Sequence, residues 1–282
     1  METNTDEKTK WWGSFTFAQD FAGKWSVGPS TLWIYRSMHS WHLVHTESED
    51  SMDDSAAIET PRPIGETDLS MEELPPGATV TRYSFQKTDS RCTLSPMLAD
   101  RAIVVRPDIP LFILPGEEVT LYVSTPLWMR IEVGKESRLL QEIPSYRPSD
   151  TWFGSSTVEG ELCYAVRTAG RLRLENLPRR LHRAITPIQV RNGGTDALHI
   201  GHIQVPVQYL SLFEGEGSYL WTQAVTLSRQ ASDDQATVRF DEGRIPREVG
   251  QTQKLRGPRL DIRTNTIFRT FSSLIHRTTA AV

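Results

Sequence analysis

The sequence predicts an all-β protein: an antiparallel β-sandwich, immunoglobulin-like or related, with one amphipathic helix at its C-terminal end. Three observations predict it. Apolar and polar residues alternate through most of the chain, glycine and proline punctuate the runs at short intervals, and no strand–helix–strand alternation appears. The clearest run is PGEEVTLYVSTPLWMRIEVG, where Val119, Leu121 and Val123 share one parity and Leu127, Met129, Ile131 and Val133 share the next. Pro115-Gly116 supplies its entry turn. Pro126 cannot donate to a ladder, so the chain turns or changes sheet there. Burying each apolar side chain of such a face stabilises by about 1.5–3 kcal/mol, enough to hold register against a one-residue slip.

The same pattern predicts strands at 32–34, 41–46, 80–86 and 102–105. ELCYAVRTAGRLRLENL reads as two strands joined by a turn at Ala169-Gly170. ITPIQVRNGGTDALHIGHIQVPV reads as a strand, an Asn192-Gly193-Gly194 turn and a second strand. In that second strand Leu198 and Ile200 share one parity and Ile203 and Val205 the other, which predicts a β-bulge at Gly201-His202. Strands at 220–227 and 237–240 complete the set. The domain therefore spans 11–243, and 244–282 is a basic extension.

Two segments depart from the pattern. Residues 48–77 are acidic, carry four prolines and lack periodicity, so they read as a disordered insertion. Near the end, TNTIFRTFSSLIHR places Ile267, Phe268, Phe271, Leu274 and Ile275 on one helical stripe, suited to a partner protein or a membrane surface. Thr264 or Asn265 can cap that helix, and Arg277 suits its C-terminal dipole.

Charge is polarised although the formal net charge is only -4. Residues 47–73 hold ten acids against Arg62 alone, whereas 167–191 and 244–277 each carry a net +6. The acidic segment is positioned to shield a basic face in cis, in competition with an anionic partner. Nucleic acid is a poor fit, because the arginines are not interleaved with aromatics. The start of the chain lacks a basic and apolar leader, no apolar run is long enough to cross a bilayer, and Cys92 and Cys163 stand far apart; these features predict a cytoplasmic protein with reduced thiols and no transmembrane segment.

Chemistry-bearing residues concentrate in SDTWFGSSTVEGELCYA. Asp150, Trp152, Glu161 and Cys163, with His182 and Arg183 further on, form the candidate ligand or interaction site. If the strand after Gly160 is regular, Glu161 and Cys163 share a face. Against this stands a packing role, with Trp152 and Tyr164 as core aromatics and Cys163 as a small buried hydrophobe. A Cys–His nucleophile pair needs Cys163 and His182 to meet, and no flanking signature supports that. His39, His42 and His45 alternate along a strand, and His199 and His202 lack a third ligand, so no metal is expected. Phosphate-binding and dinucleotide loops and the nucleophile elbow are missing, and no cofactor is expected.

At PLFILPGEEVTLYVSTPLWMRIEVG, RPSDTWFGSSTVEGELCYA and HRAITPIQVRN the sequence resembles the bacterial and archaeal proteins grouped as domain of unknown function 432, over 33–226. The resemblance implies no activity and no catalytic residues. It implies an accessory role in a membrane-adjacent complex, and it leaves the acidic insertion and basic tail as departures from a compact core. Taken together, the expected function is a non-catalytic cytoplasmic module for protein or ligand interaction, with another protein as partner; the alternative is an enzyme or small-ligand site around Asp150, Trp152, Glu161, Cys163 and His182.

Overall fold

The structure is a computed structural model that describes residues 10–48, 50, 53, 56–71, 73–107, 111–154, 160–229, 236–240, 245 and 249–261, with backbone alone at 167–169, 236 and 237. The described residues are nearly all β, 56% strand and 6% helical, and hold no long helix. The strands run β1 (Gly13–Thr16), β2 (Phe21–Val27), β3 (Ser30–Arg36), β4 (Ser40–Glu47), β5 (Ala56–Pro63), β6 (Thr79–Ser84), β7 (Arg91–Met97) and β8 (Ile103–Pro107). They continue through β9 (Leu111–Ile113), β10 (Glu118–Pro126), β11 (Trp128–Val133), β12 (Arg138–Pro144), β13 (Ser149–Phe153), β14 (Glu161–Gly170) and β15 (Arg183–Asn192). The last are β16 (Leu198–Ile200), β17 (Ile203–Val205), β18 (Leu212–Glu214), β19 (Leu220–Thr222), β20 (Val225–Arg229), β21 (Ala236–Phe240) and β22 (Gln253–Arg256).

Most neighbours are antiparallel. One sheet runs β5-β2-β3-β4-β6, a second β1-β7-β11-β12 and a third β13-β14-β8-β17. The largest runs β21-β20-β15-β19-β18-β22 with β10 on β15, and β9 and β16 form a ribbon. Pro126 marks a change of sheet: β10 pairs with β15, and β11, two residues later, lies between β7 and β12. Alternation holds as expected, with Leu121, Val123, Met129, Ile131 and Val133 buried. An aromatic centre of Trp11, Phe17, Trp25 and Trp41 continues this core, and the Trp11 indole N–H donates to Leu181 O at 2.9 Å.

The structure corrects several expectations. Among the described residues three strand pairs are parallel, β14–β8, β15–β19 and β15–β20. Ala169-Gly170 ends β14 rather than turning a hairpin: Arg171 makes a single bridge to Tyr122, and Leu174–Asn176 is a 3-10 turn. Asn192 does turn the chain, its Nδ2 donating to Ile113 O and Asp196 O, but β16 then pairs with β9 instead of β15. The phase flip at Gly201-His202 is a switch between sheets, not a bulge, because β17 joins β8. Within the acidic segment expected to be disordered, Ala56–Pro63 forms β5 along β2, its backbone supplying the pairing that its side chains do not advertise. No helix among the described residues is long and apolar enough to cross a membrane. The helix expected at Ile267, Phe268, Phe271, Leu274 and Ile275 lies outside the described residues.

Candidate functional site

The candidate residues divide into two groups. Asp150, Trp152, Glu161 and Cys163 come together on the β13–β14 hairpin, whose register pairs Asp150 with Tyr164, Thr151 with Cys163 and Trp152 with Leu162. Alternation sends these pairs to opposite faces. One face packs Phe153 and Cys163 against Ala102 and Val104 in a small core. There Gln204 Nε2 donates both to Glu161 Oε2 at 2.9 Å and to Cys163 Sγ at 3.3 Å, so Glu161 and Cys163 share a face as expected.

That environment stabilises a thiol, not a thiolate. Cys163 is fully buried, and its pKa is pushed up to about 11, chiefly by desolvation, against the lowering effect of the Gln204 amide. Cys92 is raised further by complete burial. At pH 8, native Cys163 is expected to react with iodoacetamide roughly 100-fold more slowly than an unfolded cysteine, since only about one thiol in a thousand ionises. Mass spectrometry of peptides labelled before and after denaturation tests this, and equal rates would contradict the buried thiol.

The opposite face of the hairpin is open. Trp152 is 48% exposed and Leu162 46%, so Trp152 is not the core aromatic its composition suggested. Its indole lies over Gly160, where a Cβ would collide with the ring. Two residues along, the same face carries Asp150, paired with Arg101 at 3.2 Å, and Tyr164. Tyr164 is buried as expected; its hydroxyl donates to Asp100 at 2.9 Å and the Arg101 guanidinium stands over its ring. From Tyr164 the face leads into a cavity of about 270 Å³ walled by Asp100, Trp128, Glu142, Pro144 and Arg147. Glu142, Pro144 and Arg147 also wall an adjoining cavity of about 240 Å³ that reaches His45, Glu47 and Thr81. Sequence reading missed Arg101, Glu142 and Arg147, which carry no motif and meet only through pairing between distant strands.

His182 and Arg183 lie elsewhere, at the entry to β15, and the electrostatic partners of the thiol and the imidazole are different residues. His182 is 1% exposed and held neutral, its pKa lowered to about 3 by burial and then by Arg183 and Arg180. Arg183 is 5% exposed, with its pKa lowered to about 10 by burial and Arg180. The strand histidines are hydrogen-bonded to protein: His45 Nε2 to Ser30 Oγ at 2.6 Å, His42 Nε2 to Ser40 Oγ at 2.9 Å, and His39 Nδ1 to Gln86 O at 2.8 Å. His199 stacks on Phe112, with ring centroids 4.7 Å apart.

A family model matches residues 11–276, wider than the 33–226 of the sequence resemblance, so the acidic segment and most of the basic extension fall within the family's own length. No curated protein and no solved structure matches the chain. The matching model is that of Protein of unknown function (DUF432), and with nearly the whole chain covered, the protein belongs to that family.

Proposed function

We propose that the protein is a non-catalytic cytoplasmic interaction module whose contact face is the open side of the β13–β14 hairpin. The observation that carries this is the cross-strand Trp152–Leu162 pair, half exposed on a strand that pairs only with β14 among the described residues. An edge strand offers backbone donors and acceptors to an incoming chain, and a large aromatic beside it offers the apolar anchor that interfaces concentrate. The chemistry of the remaining candidates supports a binding role, because among the described residues no base pairs with Cys163 and no thiol with His182. A sandwich of immunoglobulin-like or related type is the architecture we read here; one continuous buried cluster drawing residues from β2–β4, β7, β10, β11 and β15 supports it. Two buried free cysteines fit a reducing compartment, and a partner protein in a membrane-adjacent complex is the setting we favour.

Capture from native extract on immobilised protein tests the reading, with Trp152→Ser/Leu162→Ser compared with the unchanged chain. Loss of a specific captured protein in the double variant, whose melting temperature stays within a few degrees of the original, is the expected result. Undiminished capture would place the contact elsewhere. A second reading is favoured by the two adjoining cavities: a small polar ligand seated against Arg147, in keeping with the concave form of ligand sites.

A further inference from the structure

The two cavities that share Glu142, Pro144 and Arg147 lie where two sheets end: β6 closes the β5-β2-β3-β4-β6 sheet and β12 closes the β1-β7-β11-β12 sheet. The register sets Leu43 of β4 against Thr81 of β6 and His45 against Thr79, so alternation puts these four side chains on the one face that walls the cavity of about 240 Å³. The Tyr83 hydroxyl of β6 donates to Gln141 Oε1 of β12 at 3.2 Å, which ties the two strands across the crevice. Two of the carboxylates on its walls are already engaged. Glu142 gives one oxygen to Arg130 Nη1 at 2.7 Å and the other to Arg259 Nη1 at 2.6 Å. Asp100 Oδ1 accepts from the Tyr164 hydroxyl at 2.9 Å, and its Oδ2 stands 3.9 Å from Arg101 Nε. Arg147 differs. It is exposed and walls both cavities, its backbone N–H donates to Glu47 Oε1 at 3.3 Å, and its guanidinium makes no hydrogen bond or ion pair with any described residue. Glu47 walls the cavity that reaches His45, and its Oε2 has no partner among the described residues. One uncommitted cation and one half-committed anion thus belong to residues joined by a hydrogen bond at the edge of a crevice.

Charge then selects among ligands. A phosphate or other dianion on Arg147 would meet the carboxylates of Glu47, Glu142 and Asp100 on the same walls, and a simple cation on Glu47 would meet Arg147. A molecule with one charge of each sign satisfies both residues. The planar fork of an arginine takes the two oxygens of a carboxylate, and a carboxylate oxygen takes an ammonium. In an α-amino acid these two groups sit on one carbon, which suits a guanidinium and an acid on neighbouring residues. We infer that the crevice binds a free α-amino acid, with its carboxylate on Arg147 and its ammonium on Glu47. Trp128 and Pro144 in the larger cavity, and Leu43 and Ile143 in the smaller, supply apolar wall for its side chain. The inference names the ligand class of the second reading given above, a small polar ligand against Arg147, and rests on that reading.

The test uses the full chain. The proteinogenic amino acids are screened one by one for a rise in melting temperature, with inorganic phosphate and glucose alongside as an anionic and a neutral probe. The amino acid that stabilises most is then titrated by calorimetry, together with its methyl ester, which lacks the carboxylate, and its N-acetyl form, which lacks the ammonium. The variants are Arg147→Met, Glu47→Gln and, as a control on the opposite edge of the β4–β6 sheet, Arg62→Ala. Saturable one-site binding in the unchanged chain and in Arg62→Ala, weakened by about tenfold or more in each of the other two variants and for each blocked form of the ligand, is the expected pattern. Arg147 is exposed and makes no side-chain bond to the described residues, so Arg147→Met should melt, without ligand, within a few degrees of the unchanged chain. Equal binding by Arg147→Met, or equal binding of the ester or the N-acetyl form, would overturn the inference. Phosphate or glucose bound in an Arg147-dependent way, with no amino acid bound, would overturn it and keep the cavities as a ligand site. Binding of no probe would overturn both the inference and the reading on which it rests.

Discussion

Glu142→Ala is expected to destabilise the protein by about 2–4 kcal/mol, lowering its melting temperature by roughly 4–16 °C. Glu142 sits on β12 opposite Arg130 of β11, and its two oxygens serve different cations: Arg130 Nη1 at 2.7 Å and Arg259 Nη1 at 2.6 Å. Glu132 takes the remaining contacts, with Arg130 Nη2 at 3.0 Å and Arg256 Nη1 at 3.6 Å. Three guanidinium groups thus share two carboxylates; deleting Glu142 leaves Arg130 and Arg256 on Glu132 and takes from Arg259 its carboxylate partner among the described residues. The partners are mostly shielded, at 21% exposure for Arg130, 16% for Arg259 and 18% for Glu142, so solvent repays only part of the loss. The low end of the range reflects that residual exposure.

The network also bridges elements that are far apart in the chain. Arg259 Nε donates to Leu98 O at 2.7 Å, its backbone N–H donates to Gln208 O at 2.9 Å, and Arg256 follows β22 along β18. Among the described residues, Glu142 is therefore one of the points that tie the segment 253–260 to the β11–β12 edge. Denaturant unfolding of Glu142→Ala, Arg259→Ala and the double variant isolates the pair. A coupling energy of about 1–2 kcal/mol is expected, and additive losses would show that the two side chains stabilise independently.

That network shows where sequence reading stops. The polar parity of β11, Arg130 and Glu132 between Met129, Ile131 and Val133, is visible as alternation, because period two is a local property of the chain. What the polar row faces is not local. It depends on β12 lying beside β11 and on a segment more than a hundred residues later crossing above it. The hairpin at 149–166 is legible in the same limited way: the shared face of Glu161 and Cys163 follows from parity, but which face is open depends on β8, and this reversed the expected burial of Trp152. β5 escaped detection because an edge strand is held by backbone pairing, and its acidic, proline-bearing side chains carry no apolar rhythm. Gly201 did mark a real discontinuity. Parity alone cannot distinguish a bulge within one ladder from a passage between two, since both shift the phase by one residue.

The acid side of the stability curve should carry the signature of His182. Gly28 approaches its ring so closely that a Cβ there would lie 2.7 Å from Cγ and Nδ1, and Gly28 holds a φ of +58°, so backbone rather than solvent covers the imidazole. Among the described residues Nδ1 has no hydrogen-bond partner and Nε2 has only the long contact from Arg183, so none of them offers a protonated ring an acceptor for its second proton. The folded pKa of about 3 lies below the unfolded value near 6.5, so the sign is fixed. Below pH 6.5 the unfolded chain binds a proton that the folded chain refuses, and stability falls with pH until about pH 3 by up to about 1.4 kcal/mol per unit. Between pH 6 and 4 the loss assigned to this ring is on the order of 2 kcal/mol, added to whatever the carboxylates contribute. Urea unfolding at several pH values in phosphate-free buffer, compared between the unchanged chain and His182→Asn, separates the two. The variant should show a slope shallower by close to one proton between pH 6 and 4, because the carboxylates titrate alike in both. Parallel slopes would mean that the imidazole finds water or an acceptor when protonated, and that the contact with Gly28 opens more easily than its geometry indicates.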